Sequence, residues 1–204
     1  MKLYWSPRSP FVRKAMVCAY EVGIADRIEK VYALVSMTQV NPDVLRVNPV
    51  GRIPALVTDA GDVLYDSNVI CEYFDAELGD SSLFPQDKPE RWLALTRLAL
   101  ADGMLETGVL WRSERVKPSP QQSSPTILAY ERKITSALDA IENATPALDP
   151  DYVGIGDIGL AVALGYLDFR FVDIDWRARV PRTARWFETF SARPSMQATV
   201  PYEE

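Results

Sequence analysis

The alternation of strand patterns with helical patterns stops after Leu78, and the rest of the chain shows helical patterns only. Before that point the order is strand, helix, strand, loop, two strands and a helix. Four strands covered by helices form a small α/β fold of the thioredoxin-like type, and the later helices indicate a bundle. The sequence therefore predicts an α/β domain at 1–78, a linker rich in Gly, Ser, Asp and Pro at 79–89, and an all-helical domain at 90–204.

Composition and charge narrow the classes of function. The chain has 204 residues, of which 48% are hydrophobic and 25% charged, as in ordinary globular proteins. Its net charge of −6, with scattered basic residues, disfavours general binding to nucleic acid. The longest uncharged apolar run, 158–167, is too short for a membrane span, and the N-terminus lacks a secretory pattern. We therefore expect a cytoplasmic protein without nucleic-acid or membrane partners.

The chain contains no histidine and only two cysteines. The lack of histidine removes His-based metal sites and every catalytic triad that uses imidazole as the base. Cys18 and Cys71 each lie in an apolar, helix-like pattern, so we predict two buried residues and no disulfide. No metal is expected. The chemistry must then use hydroxyls, carboxylates, backbone dipoles or a thiol from another molecule.

The boundary between the first strand and the first helix falls within Ser6–Lys14. Lys2–Trp5 is strand-like, and from Val12 onward apolar residues recur at helical spacing. Pro10 suits the first helical position, which puts Ser9 at the N-cap. A hydroxyl there lies beside unpaired backbone donors at the positive end of the helix dipole, where an anion is stabilised. Capping alone is the alternative role for Ser9.

Four segments in this order resemble the cytosolic glutathione S-transferase superfamily over essentially the whole chain. They are Ser9–Arg13, Asn48–Leu56, Asp66–Ser67, and Asp157 at the start of an apolar helix pattern. Gly154 departs from the family pattern, which usually has Ser or Thr at this cap position. Ala101–Gly103 and Gly165–Arg170 look more specifically like the bacterial YibF-like branch. The resemblance implies the glutathione S-transferase fold, glutathione as co-substrate, a homodimer and a role in detoxification.

By this resemblance, Ser9 is the catalytic residue that activates the thiol of glutathione. A hydroxyl hydrogen bond to a charged group contributes about 1.5–3 kcal/mol and a helix N-terminus about 0.3–1 kcal/mol. Together they lower a thiol pKa from about 8.5 by roughly two units, which makes the thiolate the main species at neutral pH. Ser6 is the alternative contact for the thiol, because it lies near the position that carries a tyrosine in other branches.

Other contacts to glutathione are implied residue by residue. Ile53–Pro54 matches the family's cis-proline turn, in which the backbone of Ile53 binds the tripeptide like an added strand. Arg52 is assigned to the glycyl carboxylate, Ser67 to the γ-glutamyl carboxylate and Asp66 to the γ-glutamyl ammonium. The alternatives are a solvated arginine at 52 and helix capping alone at 66 and 67.

The remaining assignments involve the long helix predicted after the linker. Asp102 is assigned to the ammonium of the glutathione bound by the partner subunit, and an exposed helical aspartate is the alternative. The second substrate is predicted to lie between Ser9 and this helix, against Phe11, Met104, Trp111 and Arg112. Phe11 is also assigned to glutathione binding. The alternative for these apolar residues is a place in the core.

The predicted function is a glutathione transferase acting on a small electrophile, or a glutathione-dependent thiol–disulfide oxidoreductase. Serine at position 9 favours the transferase, since cysteine variants carry out mixed-disulfide chemistry directly. A non-catalytic binding or regulatory protein with the same fold is the alternative, because a fold alone does not decide function.

Overall fold

The computed structural model describes residues 1–36, 38–145, 148–149 and 151–203. The chain groups into two compact units. The first, here the sheet unit, comprises Met1–Arg91 and Pro194–Glu204; the second, the helical unit, comprises Trp92–Arg193. The predicted domain bounds stay a prediction, and Glu204, the last residue of the predicted helical domain, lies outside the described residues.

The sheet unit is built on four strands, β1 (Lys2–Trp5), β2 (Glu29–Tyr32), β3 (Ala55–Val57) and β4 (Val63–Leu64). Their order in the sheet is β2-β1-β3-β4. β1 is parallel to β2 and antiparallel to β3, which is antiparallel to β4. The predicted thioredoxin-like class is confirmed. The run 52–57 predicts a longer strand than β3, which begins only at Ala55 because Pro54 has no N–H to donate to a neighbouring strand.

Three helices of the sheet unit begin as the capping chemistry of the sequence predicts. They are α1 (Pro10–Glu21), α2 (Pro42–Val47) and α3 (Ser67–Tyr73), and α3 continues as a π-helical turn, Phe74–Leu78. The side chains of Ser9, Asn41 and Asp66 accept backbone N–H bonds at the respective N-caps. α1 packs against α3. The buried core of this unit includes Leu3, Val12, Met16, Leu56, Ile70 and Phe74.

The helical unit contains most of α4 (Lys88–Arg115) together with α5 (Ser124–Ala144), α6 (Ile155–Arg170), α7 (Trp176–Arg179) and α8 (Pro181–Ser191). Every residue from Ile155 to Leu167 is buried, as the uniformly apolar pattern of α6 predicts. Gly156 lets α4 approach closely, because a Cβ at this position would lie 2.8 Å from the Ala94 carbonyl oxygen. Within the described ranges, no helix is long and apolar enough to cross a membrane.

Asp157 supports the start of α6. Its carboxylate accepts the N–H of the N-cap residue Gly154 at 3.2 Å and lies 3.3 Å from Nη1 of Arg97. Burial raises the pKa of Asp157, and the Arg97 guanidinium opposes that rise. The carboxylate thus supplies the capping bond even though glycine occupies the cap position.

Two short helices near the end of the chain correct the sequence prediction. The sequence over 173–179 predicts a loop, but this segment contains α7, where Asp175 accepts the N–H of Ala178 and buried Trp176 donates to Asp168 at 2.8 Å. α8 is not the last helix, since α9 (Pro194–Gln197) follows it in the sheet unit. Each has only four residues, too few for a helical period to be recognised in the sequence.

α9 packs against α1 within the sheet unit. The Ser195 hydroxyl donates to a carboxylate oxygen of Glu21, and Nη2 of Arg13 donates to the carbonyl oxygen of Met196 at 3.3 Å. Ser195 and Met196 are both buried. Residues from the two ends of the sequence therefore complete the same core.

Glu142 of α5 caps the N-terminus of α8. Its carboxylate accepts the backbone N–H groups of Arg182 and Thr183 at 3.1 and 2.9 Å, and the Thr183 hydroxyl at 2.7 Å. Burial by itself raises the pKa of Glu142, but these donors and the Arg182 guanidinium outweigh burial and lower that pKa to about 2. The charged form of Glu142 therefore stabilises the folded helical unit.

We expect Glu142→Gln to lower the free energy of unfolding by about 1–3 kcal/mol, because the donors at the start of α8 lose a charged acceptor. Since the folded-state pKa is depressed, the contribution is complete above pH 4.5 and is lost as the pH falls toward about 2. Urea unfolding of both proteins at neutral and acidic pH measures this difference. Glu131→Gln, at an exposed position of α5, is the matched control. Equal effects of the two substitutions would contradict the capping role.

Candidate functional site

The strand that leads to Ser9 lies beside the strand that follows Pro54. In the antiparallel pair of β1 and β3, Tyr4 faces Ala55. The end of β1 therefore adjoins the start of β3. This pairing brings the Ser9 segment and the Ile53–Pro54 segment to the same end of the sheet.

The start of α3 lies at this end too, one strand further out. In the antiparallel pair of β3 and β4, Leu56 faces Leu64, so the end of β4 adjoins the start of β3. Asp66 and Ser67 follow β4 directly. Neighbouring strands lie about 4.8 Å apart, so the distance from β1 to β4 is roughly 10 Å. An extended tripeptide spans about the same distance.

The direction of α1 relative to α3 follows from two contacts between them. Nζ of Lys14 donates to Oδ1 of Asn68 at 2.7 Å, and one turn further along, the Cys71 side chain lies close enough to help raise the pKa of the Cys18 thiol. Residue numbers rise together along both helices, so α1 and α3 run in the same direction. Both helix N-termini, each carrying partial positive charge, therefore lie at the same end of this unit.

Ser9 occupies the N-cap of α1, with φ −81° and ψ 118°, and is partly exposed. Its Oγ accepts the N–H of Val12 at 3.3 Å, which leaves the hydroxyl proton available as a donor. Ser6 is buried instead, and its Oγ accepts the N–H of Arg8 at 3.4 Å. This arrangement favours Ser9 over Ser6 as the hydroxyl that meets a ligand.

Asn48 organises the loop that precedes Pro54, a role that the sequence prediction missed. Its buried side chain donates to the carbonyl oxygen of Arg52 at 2.9 Å and accepts the N–H of Val50 at 3.0 Å. Gly51 has a φ of +69°, a conformation that favours glycine. The Arg52 side chain is exposed, and the Ile53–Pro54 peptide bond is cis, as the family resemblance implies. The sequence did contain a signal for this role, because an asparagine side chain commonly accepts a hydrogen bond from the backbone N–H two residues later, here that of Val50.

Asp66 is the N-cap of α3, where its Oδ1 accepts the N–H of Asn68 at 2.9 Å. Asp66 is exposed, Asn68 is partly exposed and Ser67 is buried. Capping therefore uses one carboxylate oxygen of Asp66 and leaves the other accessible to a cation. Asp66 therefore caps α3, and this capping role does not prevent it from also contacting a ligand.

The site residues predicted on α4 belong to the helical unit. Asp102 and Arg112 are partly exposed, whereas Met104 and Trp111 are buried. The Trp111 ring stacks on Phe171 with 4.6 Å between centroids, a contact that favours a core role for Trp111. In the sheet unit, Phe11 is partly exposed.

The cysteines of this chain are unsuited to nucleophilic attack. Cys18 and Cys71 are both buried and free. Burial, together with the hydrogen bond to Cys71, raises the pKa of the Cys18 thiol well above its ordinary value, so it stays protonated at neutral pH. Among the residues with assigned positions, no group of three or more His, Cys, Asp or Glu can hold a metal ion. An attacking thiol must come from a ligand.

Two family models match the chain. The glutathione S-transferase N-terminal domain matches residues 8–77, and the glutathione S-transferase C-terminal domain matches residues 124–189. The chain is 33% identical over 205 residues to the uncharacterized GST-like protein YibF of Escherichia coli (strain K12), with 98% of each protein covered.

Comparison with solved structures also finds similarity to glutathione transferases. A glutathione transferase family member from Pseudomonas fluorescens Pf-5, crystallised with bound glutathione, has a TM-score of 0.95 at 39% identity over 99% of each chain. A glutathione S-transferase from Methylobacillus flagellatus KT, also with glutathione bound, has a TM-score of 0.86 at 31% identity over 98% of this chain and 99% of that one. By sequence and by structure, this chain belongs to the glutathione S-transferase family.

Proposed function

We propose that this protein is a glutathione transferase in which Ser9 holds the glutathione thiol as a thiolate. The observation that carries the proposal is the meeting of Ser9, Ile53–Pro54 and Asp66–Ser67 at one end of the sheet, beside two helix N-termini. The glutathione bound by the relatives from P. fluorescens and M. flagellatus supports the choice of ligand.

Glutathione fits this end of the sheet in one orientation. Its cysteine thiol lies at Ser9 and its γ-glutamyl group reaches the start of α3, about 10 Å away. There the carboxylate accepts from Ser67 and the ammonium meets the exposed Asp66. The cysteine backbone pairs with Ile53 like an added strand, and the glycyl carboxylate meets Arg52.

The thiolate is stabilised without a general base. The Ser9 hydroxyl donates to the sulfur, and the N-terminus of α1 adds its partial positive charge. The sulfur then attacks an electrophilic carbon, so that a carbon–sulfur bond forms while the bond to the leaving group breaks. With a chloronitrobenzene, the leaving group departs as chloride. Conjugation of this kind detoxifies electrophiles.

A disulfide substrate is the second chemistry open to the same thiolate. Glutathione would attack one sulfur, form a mixed disulfide and release the other sulfur as a thiolate. Ser9 cannot form that mixed disulfide itself, which favours transfer to carbon. The buried free cysteines support a reducing, cytoplasmic compartment, where glutathione is kept reduced.

We expect the protein to be retained on immobilised glutathione and to conjugate glutathione to a chloronitrobenzene. Retention tests binding, and release of chloride together with the conjugate's absorbance tests transfer. A protein that binds glutathione but turns over neither this electrophile nor a disulfide would be a binding or regulatory member of the family. Absence of both binding and turnover would overturn the proposal.

We expect Ser9→Ala to raise the pKa of the bound glutathione thiol by about one unit or more, because a hydrogen bond to a charged group is lost. Titration of the thiolate's ultraviolet absorbance in the complex measures this pKa. Turnover at neutral pH should fall with the thiolate fraction.

Two control variants separate activation from helix capping. Ser123 caps α5 by accepting the N–H of Thr126, so Ser123→Ala removes a cap without touching the site. It should cost about 1 kcal/mol of stability and leave the thiol pKa unchanged. Ser6→Ala tests the other hydroxyl. A shift with Ser6→Ala and none with Ser9→Ala would transfer the role to Ser6.

We further propose that the protein is a homodimer. Each unit exposes large apolar side chains that a second copy would cover, namely Val63, Tyr65 and Val69 in the sheet unit and Trp92 and Leu93 in the helical unit. In such a dimer, Asp102 would reach the glutathione of the other subunit, as the family resemblance implies.

We expect light scattering after size-exclusion chromatography to give twice the chain mass for the wild type. Trp92→Glu should shift it to the single-chain mass, because the dimer would bury an unpaired charge. Val172→Glu changes another highly exposed apolar residue of the helical unit and should leave the mass unchanged. A wild type at the single-chain mass would contradict the dimer.

A further inference from the structure

We propose that Lys14 is a positioning residue for the γ-glutamyl carboxylate of glutathione and acts through Asn68. This inference rests on the proposed function, since it concerns the same ligand. It assigns the carboxylate subsite a cation from α1 in addition to the backbone of α3.

Lys14 is 0% exposed and is among the largest fully buried side chains of the protein. Its Nζ donates to Oδ1 of Asn68 at 2.7 Å and lies 5.9 Å from the centre of the Phe11 ring. Taking an ammonium group out of water is costly, and lysine is almost never fully buried in proteins. A buried lysine at this place therefore indicates that its charge has a local use.

Asn68 links Lys14 to the start of α3. It is the second residue of the helix, directly after Ser67, and its backbone N–H is held by Asp66. A lysine ammonium only donates hydrogen bonds, so the Asn68 carbonyl oxygen must face it. Lys14 thereby fixes the side chain of Asn68 and, through it, the first turn whose Ser67 receives the carboxylate.

The positive charge of Lys14 has a second effect, which is to offset the negative charge of Asp66 near the γ-glutamyl group. Asp66 suits the γ-glutamyl ammonium, but its negative charge opposes a carboxylate bound one residue away. The Lys14 ammonium is bonded to the side chain of Asn68 and has the opposite sign. Because Lys14 is buried, its field is poorly screened by salt. The pair Asp66 and Lys14 therefore matches a ligand group that carries both an ammonium and a carboxylate.

The test compares three tripeptides by calorimetry on the whole protein. They are glutathione, 4-aminobutyryl-cysteinyl-glycine, which lacks the carboxylate, and glutaryl-cysteinyl-glycine, which lacks the ammonium. We expect Lys14→Met to weaken binding of glutathione and of the glutaryl peptide about tenfold or more, because the carboxylate loses both the nearby positive charge and the hold on Asn68 in the first turn of α3. Binding of the 4-aminobutyryl peptide should change less than about twofold.

A structural role for Lys14 would give a different pattern. If the lysine only held α1 to α3, Lys14→Met would weaken all three peptides equally, and that result overturns the proposal. Lys30→Met removes an exposed lysine of the same unit and should weaken none of them. Urea unfolding of each variant measures its stability independently.

Asn68→Ala decides the question if Lys14→Met does not fold. Asn68 is partly exposed, and its replacement breaks the link without adding charge. It should weaken the two carboxylate-bearing peptides selectively, whereas equal loss or no loss overturns the proposal. A wild type that binds none of the three peptides would refute the proposed function. One that binds glutathione and the 4-aminobutyryl peptide equally would refute the carboxylate subsite, including the roles of Lys14 and Ser67 there, and would leave glutathione binding itself standing.

Discussion

The parallel packing of α1 on α3 is the arrangement on which the site depends. Strand pairing brings the segments before both helices to one end of the sheet, and the contacts from α1 to α3 keep the helix axes in register. Two helix N-termini then lie near each other in a chain whose net charge is −6. At physiological salt, charges beyond about 8 Å are largely screened, so the distant negative charges of the chain act only weakly at these two helix N-termini.

The two helices differ in the side chains that cap them, which are Ser9 on α1 and Asp66 on α3. Ser9 accepts the Val12 N–H and keeps a hydroxyl proton to donate. Asp66 presents an exposed carboxylate. The same local geometry, a polar side chain accepting a backbone N–H, therefore leaves a hydrogen-bond donor at the start of α1 and an acceptor at the start of α3.

Much of the sheet unit could be predicted from interactions between residues that are close in sequence. Ser9, Asn41 and Asp66 cap their helices as their positions in the sequence indicate, because capping involves residues within a few positions of each other. The thioredoxin-like order also follows from local patterns. The family resemblance then pointed to Ile53–Pro54, which no local rule would have selected.

What the sequence did not predict depends on partners far along the chain. Lys14 looks like a solvated helical lysine until Asn68, 54 residues later, is placed beside it. α7 depends on Trp176 reaching Asp168 on another helix. Asn48 was interpreted only as part of a turn, although it fastens the loop before Pro54 from a buried position.

Because Ser195 and Met196 fill the core beside α1, the sheet unit is discontinuous in sequence, with 102 residues of the helical unit inserted between its two parts. A ribosome that has made only the first 91 residues has not yet made the piece that covers Glu21 and Arg13. Completion of the sheet unit must therefore await synthesis of α9. Until then, a growing chain would carry an uncovered surface on α1.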